Sequence, residues 1–294
     1  MSLKFLAAIE SVRRKIPRTL FHYTKADSIQ YLVRKDSDIK CTHSNFLNDP
    51  TEIWTGCESF ICHLRNRKTV SSRLIDLIES NLRDNSLTQK IACNGYSRLM
   101  PFTFSFTEND DDEYQWKSYT DDVDGGYQIA FNGCLLNRCA FVSQLLNGQP
   151  SVIGRMSLDL SPCFYEKTNA REIECIFDAL IADMKNLLTI LEKDPKNPAG
   201  RMLLSKVFTV APLIKAERWH VEKEWRMVLV PETWDESMLE NNRISSCARL
   251  LGNGMQGLIR WIRISPHGDQ KWLRNHLESE ASHFNRLKVK QSRL

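Results

Sequence analysis

A chain of 294 residues, 42% hydrophobic and 26% charged, is long enough for one large or two modest domains with a substantial core. The composition excludes a disordered, collagen-like or membrane-spanning chain, because every apolar stretch meets a charge well before the roughly 20 residues a bilayer helix needs. With 40 Lys and Arg against 36 Asp and Glu, the net charge of +4 is too small over this length to argue for nucleic acid by itself.

In chain order, an N-terminal helix is expected within residues 1–17, amphipathic over 4–15 and stopped by Pro17. Its apolar patch from Phe5 to Ile9 runs into Glu10 without a small-residue cleavage site, so no export signal is read and a cytoplasmic setting is expected. A strand over Leu20–Thr24 precedes a helix over 26–35 and a short strand near 38–42. Asn48-Asp49-Pro50 is turn chemistry, after which Ile53, Trp54, Cys57, Phe60, Ile61 and Leu64 carry helical spacing. A second helix follows with Leu74, Ile75, Leu77, Ile78 and Leu82.

Residues 101–107 alternate apolar and polar and read as a half-buried strand. The acidic run Glu108–Glu113 is a turn into a short helix with Tyr114, Trp116 and Tyr119. Gly125-Gly126 opens a strand over Tyr127–Phe131, and Cys163–Tyr165 suggests another. Residues 169–193 form the longest helical pattern, stopped at Pro195 and Pro198, with a further helix over 200–215. Trp219–Val230, Ser245–Leu251 and Leu258–Ile264 read as strands, and 269–286 as a closing helix. The expectation is a single α+β domain: a central mixed, mostly antiparallel sheet, flanking helices and a helical insertion at about 168–217.

Side chains two apart share a strand face, so alternation sorts the polar groups. His22 stands opposite Phe21 and Tyr23; Thr103, Ser105 and Thr107 stand opposite Phe102, Phe104 and Phe106. If 219–230 is one strand, His220, Glu222, Glu224 and Arg226 lie opposite a Trp-rich face on which Lys223 sits awkwardly. One wet sheet face accounts for such a pattern without any function. A ligand cleft accounts for it too. In such a cleft His22 holds a ribose hydroxyl and Tyr23, Trp116 or Tyr119 stacks on a flat ring. Glu222 and Glu224 stabilise positive charge at an anomeric carbon, while Arg226 clamps a phosphate or neutralises the pair.

The ordered elements His22-Tyr23-Thr24, Asn48-Asp49-Pro50-Thr51-Glu52, Trp116-Lys-Ser-Tyr119 and Glu222-Lys223-Glu224-Trp225-Arg226 resemble the bacterial domain-of-unknown-function family 2971, from Leu20 to the closing helix. A second resemblance is to the ADP-ribosyltransferase superfamily. It implies that His22 holds the nicotinamide-side ribose, Thr103 and Ser105 brace the site, Glu224 is the catalytic carboxylate and Glu222 orients the acceptor. The middle element departs from that pattern, reading Thr-Phe-Ser, and an ExE element beside an early His is a mixed arrangement. The first resemblance implies a fold and a bacterial setting but no settled chemistry; the second implies an NAD-using enzyme, a toxin or anti-phage effector, that transfers ADP-ribose to a protein or nucleic-acid acceptor. Asn48, Asp49 and Glu52 form either a ligand-gripping loop or a turn and cap for the next helix.

Three alternatives stay open: the enzyme, a non-catalytic module that senses a nucleotide or phage component, and a nucleic-acid-processing protein. For the last, the basic groups at Arg13–Lys15 and at Arg286, Lys288, Lys290 and Arg293 are the candidate contacts, and solvated helix ends are the plainer reading. No metal is expected: consecutive carboxylates at 110–113 cannot all face one ion, and acids before a helix favour its positive end. His43, His63, His267, His276 and His283 form no ligand pair. The nine cysteines form no CxxC motif and read as reduced, mostly core thiols. Neither a dinucleotide-binding GxGxxG nor a Walker motif is present.

Overall fold

The computed structural model describes residues 4–33, 39–44, 47, 51–68, 70–87, 101–136, 140–144, 150–152, 157–229, 239–240, 243–249, 257–282, 284 and 287–294. The α+β class holds. Fourteen strands are described, β1 Thr19–Lys25, β2 Ile39–His43, β3 Phe102–Thr107, β4 Gly126–Asn132, β5 Ala140–Gln144, β6 Pro150–Val152, β7 Ser157–Pro162, β8 Phe164–Tyr165, β9 Ile214–Lys215, β10 Glu224–Leu229, β11 Leu239–Glu240, β12 Arg243–Arg249, β13 Ile259–Ile264 and β14 Val289–Gln291. The helices are α1 Lys4–Val12, α2 Gln30–Val33, α3 Glu52–Arg67, α4 Ser72–Leu87, α5 Glu113–Tyr119, α6 Gly133–Leu136, α7 Ala170–Lys193, α8 Ala199–Val210 and α9 Gln270–Glu280. None is long and apolar enough to cross a membrane.

Twelve of the strands make one sheet, antiparallel except for the pair β13–β14. The order runs β14, β13, β4, β1, β3, β2, β12, β5, β6, while β10 lies along the whole of β3 and carries β7 beyond it. Where β10 pairs with β3 from Phe102 to Thr107, β1 meets β3 at Thr107 and β2 meets it at Phe102 and Thr103. β1 and β2 therefore part company over the middle of β3. That split positions the site.

Helices cover the sheet. α3, α4, α7 and α8 pack through Cys57, Phe60, Leu82, Ile176, Phe177, Leu180, Met184 and Phe208 into one core that reaches the sheet at Val228. A second core joins Phe102, Phe104, Phe106, Ile129, Phe131, Trp225 and Met227 to Leu273 and Leu277 of α9. The burial of Thr103, Thr107, Glu224 and Arg226 shows that the polar strand faces are enclosed, not wet. The expected insertion is observed as α7 and α8. It leaves and rejoins the sheet region through a parallel pair, β8 with β9, in which Tyr165 stands opposite Lys215.

Two backbone details depart from the sequence reading. Residues 217–222 form a 3-10 helix instead of the start of a long strand, and Lys223 caps it in the left-handed region at φ 45°. The strand begins at Glu224, so the awkward place of Lys223 on a Trp-rich face disappears. The expected helix over 26–35 is a 3-10 turn at Ala26–Ser28 followed by the short α2.

Candidate functional site

A small cleft, with about 340 Å³ of space that includes open solvent, opens where β1 parts from β3. Phe21, Tyr23 and Phe106 supply aromatic wall, and His22, Ser105, Thr107, Gln115, Tyr119, Glu222 and Glu224 supply the polar groups.

His22 bridges the split. Its Nδ1 lies 2.9 Å from the Ser105 carbonyl, which can only accept, so Nδ1 carries the proton and Nε2 keeps its lone pair. The ring packs against Phe104 with centroids 4.3 Å apart. Burial lowers the imidazole pKa to about 4, with the Ser105 hydrogen bond opposing, so the ring is neutral at pH 7. Its other nitrogen can therefore accept a hydrogen bond but cannot donate one.

Behind the cleft lies a buried ion network. Lys215 Nζ sits 2.7 Å from Glu222, 3.2 Å from Glu52 and within hydrogen-bond reach of Glu224. Arg226 donates from Nε to Glu224 at 2.6 Å, from Nη2 to Glu52 and from Nη1 to the Pro212 carbonyl at 2.6 Å. Burial opposes the charge on Glu224, but Arg226 and Lys215 outweigh it and hold the carboxyl well below its ordinary range. Burial likewise opposes the charge on Lys215, and Glu224 and Glu52 outweigh it, so the amine stays an ammonium. The three carboxylates and two cations leave a formal charge of −1.

The chain builds this network from distant pieces. Glu52 comes from the first turn of α3, and one turn on Gly56 lets that helix touch the Ala211 backbone, where a Cβ would lie 2.3 Å from the Ala211 oxygen. That approach carries Glu52 to Arg226 and Lys215. Glu222 is held by the end of β3, where Thr107 Oγ1 donates to the Glu222 carbonyl at 2.5 Å and Asn109 Nδ2 to the Val221 carbonyl at 2.7 Å. Tyr119 donates to the Glu222 carboxylate at 2.8 Å. Burial and the two neighbouring glutamates push that phenol far up, so it remains a donor.

The residues singled out from sequence divide. His22, Tyr23, Ser105, Tyr119, Glu222 and Glu224 meet at the cleft. Tyr23 offers its ring, but its hydroxyl is taken up: it donates to the Asn109 carbonyl and accepts from the Asp112 amide and Gln128 Nε2. Trp116 is fully enclosed, edge-on to Tyr23, with its indole N–H on Asp111, and so has no face for a ligand ring. Arg226 and Glu52 stand behind the cleft as partners of one another, and the guanidinium neutralises carboxylates instead of facing a phosphate. Thr103 is buried below with no hydrogen bond to its hydroxyl. Asn48 and Asp49 lie outside the described residues. Lys215 went unnoticed in the sequence, although a lone lysine ending the apolar run 210–214 is the trace it leaves.

The acidic run has structural partners. Asp112 caps α5 by accepting from the Gln115 amide, and Asp111, at φ 53°, accepts from Trp116, Ser292 and the Arg293 amide. Among the described residues no group of three His, Cys, Asp or Glu is placed to hold a metal ion. His63 pairs with Asp178, and His276 stacks on Trp272. Cys41, Cys57 and Cys163 are buried thiols, whereas Cys62, Cys134 and Cys175 are exposed, so the mostly-core reading applies to half of those described. Comparison with protein-family models, with curated proteins and with solved structures finds no match. The functional reading therefore rests on the cleft itself.

Proposed function

We propose that the cleft takes the ribosyl-pyridinium end of NAD and breaks its glycosidic bond, passing ADP-ribose to an acceptor or to water. The observation that carries this is the charge of the site. A network with formal charge −1 backs an aromatic-walled pocket whose imidazole is neutral. Such a pocket favours a ligand that is itself cationic, or one that develops positive charge as it reacts. NAD does both. Its pyridinium carries the charge, and as the C1′–N bond breaks the electron pair goes to nicotinamide while the positive charge moves to the ribosyl carbon. The nucleophile then bonds to C1′ and gives up a proton.

The residues divide this work. His22 Nε2 accepts from a ribose hydroxyl. Glu222 has one neutral donor, Tyr119, and one cation, Lys215, whereas Glu224 is held by both cations. Glu222 is thus the less compensated carboxylate and the one that faces developing charge. In a cell, such an enzyme drains NAD or marks an acceptor, which is the chemistry of a toxin or an anti-phage effector.

Nicotinamide release from NAD by the purified protein is the direct test. Glu222→Gln lowers the rate about 10²- to 10³-fold, the usual cost of removing a charge-stabilising group, with the fold checked by circular dichroism. Absence of both NAD binding and release overturns the proposal. The saturation of Glu224 by Lys215 and Arg226 favours a second reading, a module that binds a nucleotide without turnover. Binding of NAD with no release, unchanged by Glu222→Gln, would select it.

A further inference from the structure

The sheet face that carries the cleft continues away from the acids towards a cationic edge. Register joins Glu224 to Thr107, Thr107 to Phe21, Phe21 to Ala130 and Ala130 to Trp261, one row across five strands. One row along, Tyr23 stands beside Gln128, Gln128 beside Arg263 and Arg263 beside Lys290 of β14. Ala130, the smallest side chain in its row, lets Phe21 and Trp261 touch over it, with ring centroids 5.6 Å apart. Phe21 is thus wall to the cleft and neighbour to Trp261.

Trp261 is a cation platform. Lys290 Nζ lies 3.7 Å from its ring centroid and Arg263 Cζ 4.8 Å. Arg263 is spent on Asp110 and Gln128, yet its buried Nε has no hydrogen-bond partner. Lys288 and Lys290 are exposed, and among the described residues no carboxylate forms an ion pair with either. Burial, with Arg263, Arg293 and Lys288, lowers the Lys290 pKa against the pull of Asp110.

The acids and the cations stand at opposite ends of this face, and between them the Phe21 wall of the cleft lies about 10 Å, two strand spacings, from Trp261. A nucleotide has the matching polarity. The cationic ring and ribose come first, and the phosphates follow from the 5′ carbon. We propose that Lys290 and Lys288 beside Trp261 form the phosphate subsite for the ligand whose ribosyl end enters the cleft. The proposal rests on the NAD reading for the identity of that ligand; the unpaired cations and the shared row carry the subsite.

Calorimetric titration with nicotinamide riboside, nicotinamide mononucleotide, NAD and ADP separates the two claims. NAD should bind the wild-type protein about 10- to 100-fold tighter than the riboside, as charged hydrogen bonds to phosphate require. Lys290→Gln, and more so the double change with Lys288→Gln, should remove most of that advantage, leave riboside affinity unchanged and leave the melting temperature in place. Increasing salt should erode the same increment. If NAD binds no tighter than the riboside, or if the variants weaken all probes equally, the subsite is refuted while the NAD reading stands. If neither the riboside nor NAD binds but ADP does, in a Lys290-dependent way, the NAD reading fails and the phosphate subsite survives. If a single-stranded oligonucleotide alone depends on Lys290, with steep salt dependence, the face is a nucleic-acid surface and the proposal is overturned.

Discussion

Two buried charge clusters lie on the same sheet face, and their difference separates a site from a brace. One joins Glu52, Lys215, Glu222, Glu224 and Arg226; the other joins Arg263 and Arg293 to Asp110, Asp111 and Gln128. The first has more acids than cations and two of its carboxylates open on a cleft. The second uses its acids to hold structure: Asp111 ties the Trp116 indole to Ser292 and Arg293 at the C-terminal end of the chain. Buried ion pairs offset their desolvation only with good geometry and further hydrogen bonds, so such a cluster is poor evidence of stability in itself. An unbalanced cluster facing empty space points to a ligand. A balanced one that grips the chain points to fold.

The strongest way to break this comparison is Lys215→Met. It leaves Glu52, Glu222 and Glu224 with one cation among them, and the expected loss is about 3–5 kcal/mol, read by urea denaturation. A variant as stable as wild type would mean that the network does not depend on its lysine. The second effect is pH-dependent. The folded protein keeps His22 neutral down to about pH 4, whereas an unfolded histidine takes a proton near 6.5. Between those values the unfolded chain binds more protons, so stability is lost as pH falls, by up to about 3 kcal/mol once pH is below 4. His22→Gln should flatten that slope between pH 6.5 and 4, measured by denaturation at stepped pH.

Asp111→Asn addresses the brace. It retains a residue type that tolerates the left-handed backbone but removes the charge behind three hydrogen bonds, for an expected cost of about 1–3 kcal/mol. Affinity for NAD should not change; a large loss of affinity at unchanged stability would make the brace part of the site. The smallest effect is expected at Lys117→Ala, where an exposed i,i+4 pair with Glu113 is lost and the melting temperature should stay where it was.

How much of this was legible beforehand follows from the range of each signal. Alternation in 102–107 is local, and the three phenylalanines do share one core while Thr103 and Thr107 turn the other way. The long pattern at 169–193 is likewise local, and α7 follows it to within a residue. The break at Lys223 was harder to see, because a 3-10 turn followed by a strand resembles one long strand when its residues are apolar and charged in alternation. Its left-handed cap redirects Glu222, which meets Lys215 by a different route from Glu224. Trp116 looked like a stacking residue because sequence marks an aromatic side chain but not the Asp111 that takes up its N–H.

The sequence by itself determined the α+β class, the helical insertion and which residues share a face of β1 and of β3, because those properties depend on spacing along the chain. Only the tertiary structure decided how the faces join. Phe21 pairs with Thr107, so Phe21 and Tyr23 stand on the face of Glu224, and His22 lies on the phenylalanine side and reaches through the split to Ser105. A shift of one residue in that register would exchange the two faces. Lys215 reaches the carboxylates through a strand pairing with Tyr165, across the whole helical insertion. Register and long-range pairing depend on how remote segments pack together, and no local period encodes that.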